Sequence, residues 1–361
     1  MAQATAYNMN SARGAREDLS DQLKRVEPQE TPLYSLLPQS SAPNAMLTEW
    51  NIDDLGAPNI QPVLDGTDLQ FVGGTPVSST GSPGQTGNGD FEFKFNNKVR
   101  AGNRIQQLRS GFTVSPLAER IAIAGLASPY AEAKAKATLE LKRSIEVMIG
   151  SNEVGASATS TLGDISAGLG AWSNPGNGAG TIWHSAGLNG QASAYRPVAG
   201  SRIVMGSNSL LENSGSANFR NMLQKVYEAS GIKANYRLFA GPDIINAISD
   251  FTRTNSGATR FNQQVSGGAS ISLSVVEYKS DYGTVQVIPA LFLQRTRANP
   301  STLVSKSAFL LPGDDTVSLK VMDGVTAVDL DDIGGGGKRG YVTFTGTTCV
   351  LNAKAIGSIT P

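Results

Sequence analysis

From Tyr130 to Ile149 the chain carries neither Gly nor Pro, and this segment constrains the fold more than any other. Ala, Glu, Lys and Leu dominate it, and all four are strong helix formers. Ser128-Pro129 supplies a capping hydroxyl followed by a Pro at the first helical position, where its missing N–H costs nothing. Gly150 supplies a stop. Ala137, Leu141, Ile145 and Ile149 recur every four residues, with Met148 beside them, so one face is apolar. Glu132 precedes Lys136 by four positions, the favourable order for an exposed ion pair. At 1.5 Å per residue the predicted helix is roughly 30 Å long, as long as a small domain is wide. Upstream, Ser115-Pro116 repeats the same start signal.

The stretches before this helix differ from it. Residues 1–48 read as an N-terminal arm. The start is polar, and Ala15 to Val26 places Leu19, Leu23 and Val26 on one helical face. Pro28, Pro32 and Pro38 then follow closely, each removing a backbone donor and favouring extended geometry before it. Leu33, Tyr34, Leu36 and Leu37 sit in that predicted extended stretch and need a surface to bury on, either in their own domain or on a neighbouring subunit. Residues 49–114 lack helical periodicity. Gly73 to Gly89 is a run of Gly, Ser, Thr and Pro too poor in apolar groups to order itself. Leu69 and Phe71 before it, and Phe91, Phe93 and Phe95 after it, alternate with period two. That predicts an antiparallel hairpin with a long tip. Lys94, Lys98, Arg100, Arg104 and Arg109 form a basic cluster opposed only by Glu92. The cluster is either a solvated surface or a complement to an acidic neighbour or DNA, and the chain's neutrality favours the neighbour.

After the helix, residues 151–200 are again rich in Gly, Ser and Asn, with Trp172 and Trp183 among them. From 201 strands and helices alternate. Strands are predicted at Arg202–Met205 and Tyr236–Ala240. A helix over Asn218–Ser230 carries Phe219, Met222, Leu223, Val226 and Tyr227 on one face and closes at Gly231. A second helix spans Pro242–Phe251. Strands follow at Ser272–Tyr278, Thr284–Pro289, Ser307–Leu311, Val317–Met322, Tyr341–Thr345 and Thr347–Ala353. Helices and strands in this order predict an α+β fold.

Charge and composition exclude several functions. Only 17% of the 361 residues are charged, and the 30 basic and 30 acidic side chains cancel. An ordinary soluble domain is roughly 25% charged, so much surface is expected to lie against partners. A neutral chain is not a dedicated nucleic-acid binder, although it can still face packaged DNA. Cys349 is the one cysteine, so no intrachain disulfide can form. No signal peptide and no membrane span are visible, which points to folding in a cytoplasm.

The search for catalytic chemistry finds little. His184 is the one histidine, and no Gly-x-Ser-x-Gly elbow accompanies it. In a Gly-rich loop beside Trp183 it reads as an ordinary loop residue. Gly334 to Gly340 imitates a phosphate loop, but Asp332 stands where the first Gly belongs and Arg339 follows Lys338. Asp329 to Gly334 imitates the start of a calcium loop, but Ile333 occupies a ligand position and Gly340 the place of the final Glu. No cofactor or metal is implied. A hydrolase using Asp243 and Asp250, and a carbohydrate binder using Trp172 and Trp183, are the competing readings that residue types allow.

Several stretches in order along the chain resemble a family of tailed-phage major head proteins. They are REDLSDQLKRVEPQETPLYSLLP with the later TEW, RAGNRIQQ, LELKRSIE, GLGAW, VYEASG and VVEYKSDYGTVQVIP. The order of parts is similar to the Hong Kong 97-type capsid fold, and the resemblance implies an N-arm at 1–48, an E-loop with flanking strands at 49–114, a spine helix and part of the P domain at 115–200, an A domain at 201–310, and C-terminal strands at 311–361 shared by the P and A domains. The Gly/Ser tip at 73–89 is longer than in the family, and the C-terminal end diverges. The resemblance implies a non-enzymatic subunit of an icosahedral head, built of hexamers and pentamers around double-stranded DNA. Its partners would be copies of itself, a portal, and scaffold or decoration proteins, and its place the virion. Leu33, Tyr34, Leu36 and Leu37 of the arm would contact a neighbour, as would Phe91, Phe93, Phe95, Lys98, Arg100 and Arg104 of the E-loop. Ala137, Leu141, Ile145 and Ile149 would line the spine helix. A tail or decoration component is the alternative.

Overall fold

A computed structural model describes residues 27–53, 99–121, 128–175, 196–205, 219–231, 233–250, 277–331 and 337–361. The expected long helix is present as α3, Pro129–Gly150, with the Ser128 hydroxyl accepting from the Ala131 N–H at 3.4 Å. Ala137, Leu141, Ile145 and Ile149 are all buried along one face. The arm departs from its predicted extended form. Pro32–Leu36 is a short helix, α1, because Pro32 falls at its first turn, where Pro is tolerated. A second short helix, α2, spans Pro116–Arg120.

The stripe of α3 packs on a four-stranded sheet. Its strands are β1 (Gln39–Ser41), β4 (Gln106–Val114), β10 (Val317–Leu330) and β11 (Lys338–Val350), in the order β1-β10-β11-β4. β10 and β11 form one long antiparallel hairpin with shifts of register between Val321 and Thr326. The separate strands predicted at 341–345 and 347–353 are therefore one strand. Val342, Phe344, Val350, Val317 and Leu319 of this sheet share a core with the helix stripe. β2 (Leu47–Ile52) and β3 (Val99–Arg104) pair antiparallel and stand at the two ends of residues 54–98.

A second sheet has six strands in the order β5-β12-β9-β6-β8-β7. They are β5 (Arg202–Val204), β6 (Ala234–Ala240), β7 (Glu277–Ser280), β8 (Gly283–Pro289), β9 (Ala308–Pro312) and β12 (Gly357–Thr360). Counting Leu169–Trp172 as α4, the helices beside this sheet are α5 (Phe219–Ser230) and α6 (Pro242–Asp250). Phe219, Met222, Leu223 and Val226 of α5 are buried against Tyr236, Leu238, Ile244 and Leu310 in a second core, whereas Tyr227 is exposed. Gly231 adopts φ +66°, the left-handed stop that only Gly takes without cost. The chain crosses from one sheet to the other and back: β9 and β12 complete the six-stranded sheet, while β10 and β11 between them build the four-stranded one.

Candidate assembly surfaces

The base of the arm is fastened to its own chain. Glu146 is fully buried on α3 and accepts both N–H groups of the first turn of α1, Leu33 at 2.8 Å and Tyr34 at 2.7 Å. At the other end of α1, the Arg237 guanidinium of β6 donates to the Leu36 carbonyl at 3.0 Å. An anion holds the orphan donors and a cation holds an orphan carbonyl, as the polarity of a helix requires. Burial pushes the Glu146 carboxyl up to about 7, against the lowering effect of the two N–H donors. Leu33 reaches so close to α3 that a side chain at Gly150 would meet it at 3.3 Å. Tyr34 packs edge-on against Phe344.

Of the four arm residues expected at a neighbour, Leu33 is fully buried and Leu37 is 7% exposed, both packed in the chain's own core. Tyr34 is partly buried against the same core, and only Leu36 is exposed. Outside the clamp, Arg143 of α3 pairs with Glu27 and lies 5.3 Å over the Phe292 ring. Arg295 lies 4.5 Å from that ring and donates to the Leu291 and Pro300 carbonyls. Burial, then the nearby Arg143 charge, lowers the pKa of Arg295. These residues with Glu153 and Arg297 border an open cavity of about 620 Å³ along α3, in which acids and bases face each other.

The stem of the predicted E-loop is the β2–β3 pair. Asn103 holds it in place: its amide donates to the Thr348 carbonyl at 2.8 Å and the Ala167 carbonyl at 3.0 Å, and its oxygen accepts from the Ala167 N–H at 2.9 Å. Arg104 pairs with Asp164 at 2.9 Å, largely buried, and is thereby committed within its own chain. Arg100 pairs at the surface with Glu49 at 3.3 Å. Phe91, Phe93, Phe95, Lys94 and Lys98 lie outside the described residues, as does the amphipathic stretch Ala15–Val26.

The far end of α3 is tied to the β10–β11 hairpin. Asp329 accepts from the Tyr130 hydroxyl at 2.7 Å and from the Lys134 ammonium at 3.0 Å. The bond to Asp329 pushes Tyr130 up to about 12. Asp329 is thus a strut between helix and sheet, where the calcium-loop resemblance would make it a ligand. Among the described residues no group of His, Cys, Asp and Glu is placed to hold a metal ion. No described helix is long and apolar enough to cross a membrane. Asp243 accepts from the Ser305 hydroxyl at 2.6 Å, and Trp172 fills the core. His184, Trp183 and the side chain of Asp250 lie outside the described residues.

Sequence reasoning missed Glu146 and Arg237. Glu146 left a signal, a carboxylate three positions before Ile149 on the buried side of an amphipathic helix. Arg237 left none.

A long helix on a sheet of long strands, a second α/β lobe and an antiparallel two-stranded pair define a Hong Kong 97-type capsid subunit. Solved structures carry the same fold. The capsid structure of the cyanophage P-SCSP1u matches with a TM-score of 0.55 at 8% identity, covering 96% of this chain and 92% of that one. The capsid of a native GTA particle matches with a TM-score of 0.56 at 10% identity, covering 99% of both chains. A structure from Microbacterium phage Oxtober96 matches with a TM-score of 0.54 at 11% identity, covering 96% of both. Among curated proteins none matches the chain. The family described as SU10 major capsid protein matches residues 2–361, and the chain belongs to it. Its place is the capsid of the virion.

Proposed function

We propose that this chain works as a building block and not as a catalyst. Copies of it close into the icosahedral head of a tailed double-stranded-DNA phage as hexamers and pentamers. The observation that carries this reading is the match of one major capsid family to residues 2–361. The neutral, charge-poor composition fits a subunit whose surface lies largely against other copies. In this reading α3 is the spine helix and the four-stranded sheet belongs to the P domain. The six-stranded sheet belongs to the A domain, which the C-terminal strand β12 completes. Residues 54–98 form the E-loop on the β2–β3 stem, with Phe91, Phe93, Phe95 and Lys98 directed to a neighbour. The portal, scaffold or decoration proteins and packaged DNA are the further partners.

The burial of Leu33 and Leu37 moves the arm's inter-subunit contacts to Leu36 and to the residues before the clamp. Deleting residues 1–26 leaves that core whole. The truncated chain is expected to stay folded by circular dichroism and to fail to close into shells. Shells of normal size and yield from the truncated chain would show that the arm does not assemble the head.

A further inference from the structure

Asp323-Gly324 sits where the β10–β11 ladder is broken. Val321 pairs with Gly346 and Asp323 with Thr345, so Met322 between them has no counterpart. The next pair is Thr326 with Thr343, so Gly324 and Val325 together face Phe344 alone. Asp323 is thus flanked by two bulges, and a bulge leaves its extra residue out of the ladder. On the other side β1 reaches only to Val321. Met322, Asp323 and Gly324 are exposed, and a side chain placed at Gly324 would meet nothing within 4 Å. Backbone in such a place turns without giving up a packed contact, and Gly turns most freely. The side chain is free as well: among the described residues no hydrogen bond or ion pair engages the Asp323 carboxylate. Asp164 and Asp329 differ on both counts. Arg104 holds the first, Tyr130 and Lys134 hold the second, and the bulky Ile165 and Leu330 follow them. Among the described residues, Asp323-Gly324 is the one place where Asp or Asn precedes Gly.

We propose that Asp323-Gly324 is a self-modification site, which closes to a cyclic imide and reopens as an isoaspartyl link. The Gly324 nitrogen attacks Cγ of Asp323 in its carboxylic acid form. An N–Cγ bond replaces the Gly324 N–H bond and the Cγ–OH bond, and the hydrogen and hydroxyl leave as one water. Water then adds to either carbonyl of the imide. If the bond from nitrogen to Cγ breaks, aspartate returns. If the bond from nitrogen to the main-chain carbonyl carbon breaks, Gly324 stays attached through Cγ and the main-chain carbonyl becomes a free carboxylate. No oxidant, metal or second protein takes part, and the mass is unchanged. The isoaspartyl link runs the main chain through Cβ and Cγ and is one atom longer. It adds length at the point where β10 already holds more residues than β11. The proposal does not depend on the capsid reading.

Ageing of the purified full chain in neutral buffer, with samples digested and mapped by mass spectrometry, tests this. Isoaspartate is read by its altered retention at unchanged mass and by methylation with an isoaspartyl methyltransferase. The peptide holding Asp323-Gly324 is expected to gain isoaspartate steadily, at least a tenth as fast as in the same chain aged in urea. The peptides holding Asp164 and Asp329 should gain none. Mapping keeps the site apart from Asp65-Gly66 and from the Asn-Gly pairs at Asn88, Asn177 and Asn189. Gly324→Ala enters open space, so it should keep the wild-type melting temperature and form isoaspartate at least tenfold more slowly. Asp323→Glu, which would need a six-membered ring, should form none. Accumulation in the folded chain slower than a tenth of the rate in urea overturns the proposal, because the fold would then shield the site. An equal rate in folded Gly324→Ala overturns it too.

Discussion

Glu146 couples the arm to pH, and the sign of the coupling follows from its surroundings. Its carboxyl is fully buried and, among the described residues, is bonded only by two backbone N–H groups, and burial raises its pKa to about 7 from an ordinary 4.5. Between those values the folded protein holds a proton that the unfolded chain has released. Stability therefore falls as pH rises through that window, because the folded state binds more protons. At 1.36 kcal/mol per pH unit the loss amounts to about 3 kcal/mol by pH 8. Glu146→Gln has the same volume and does not titrate. It retains one acceptor for the Leu33 and Tyr34 N–H groups and sets an amide donor against the other. The variant should be the less stable protein at pH 5, and the wild-type advantage should shrink by about 3 kcal/mol on going to pH 8. Urea denaturation of both proteins at several pH values, followed by circular dichroism, gives the difference directly. A difference that stays flat with pH would refute the reasoning. A wild-type advantage that grows with pH would show that the two backbone donors outweigh burial and that the carboxyl is ordinarily acidic.

Three further outcomes are expected. Ile145→Ala, at a fully buried position of the α3 stripe, should cost about 2–5 kcal/mol of unfolding free energy by denaturant titration. Asn103→Ala orphans the buried Ala167 N–H and the carbonyls of Ala167 and Thr348, and should cost about 3 kcal/mol by the same assay. Cys349 is buried and its thiol is pushed up to about 11. A thiol reagent at pH 8 should leave it unlabelled in the folded protein and label it fully in urea.

Legibility in the sequence followed the range of the interactions. The long helix, its Ser128 cap, α5 with its Gly231 stop, and strands β6, β8 and β9 could be read because their signals are local. The arm helix α1 could not: three prolines suggest extension, and what holds the turn is a carboxylate from α3 far along the chain. The β10–β11 hairpin was read too short because Asp323-Gly324 and Gly346 break the alternation, while the ladder carries on through a shift of register. The surface for Leu33 and Leu37 was open in the sequence, and the structure assigns it to their own core. Phe91, Phe93, Phe95 and Lys98 lie outside the described residues; their alternation is a local signal, whereas the copy a segment packs on is not a local property.

The most direct test of the central claim is electron microscopy of the purified full chain, paired with sedimentation velocity. Closed shells with fivefold and sixfold clusters of subunits of this fold are the expected result. A species that remains monomeric at high concentration, under crowding and with scaffold supplied would contradict the account.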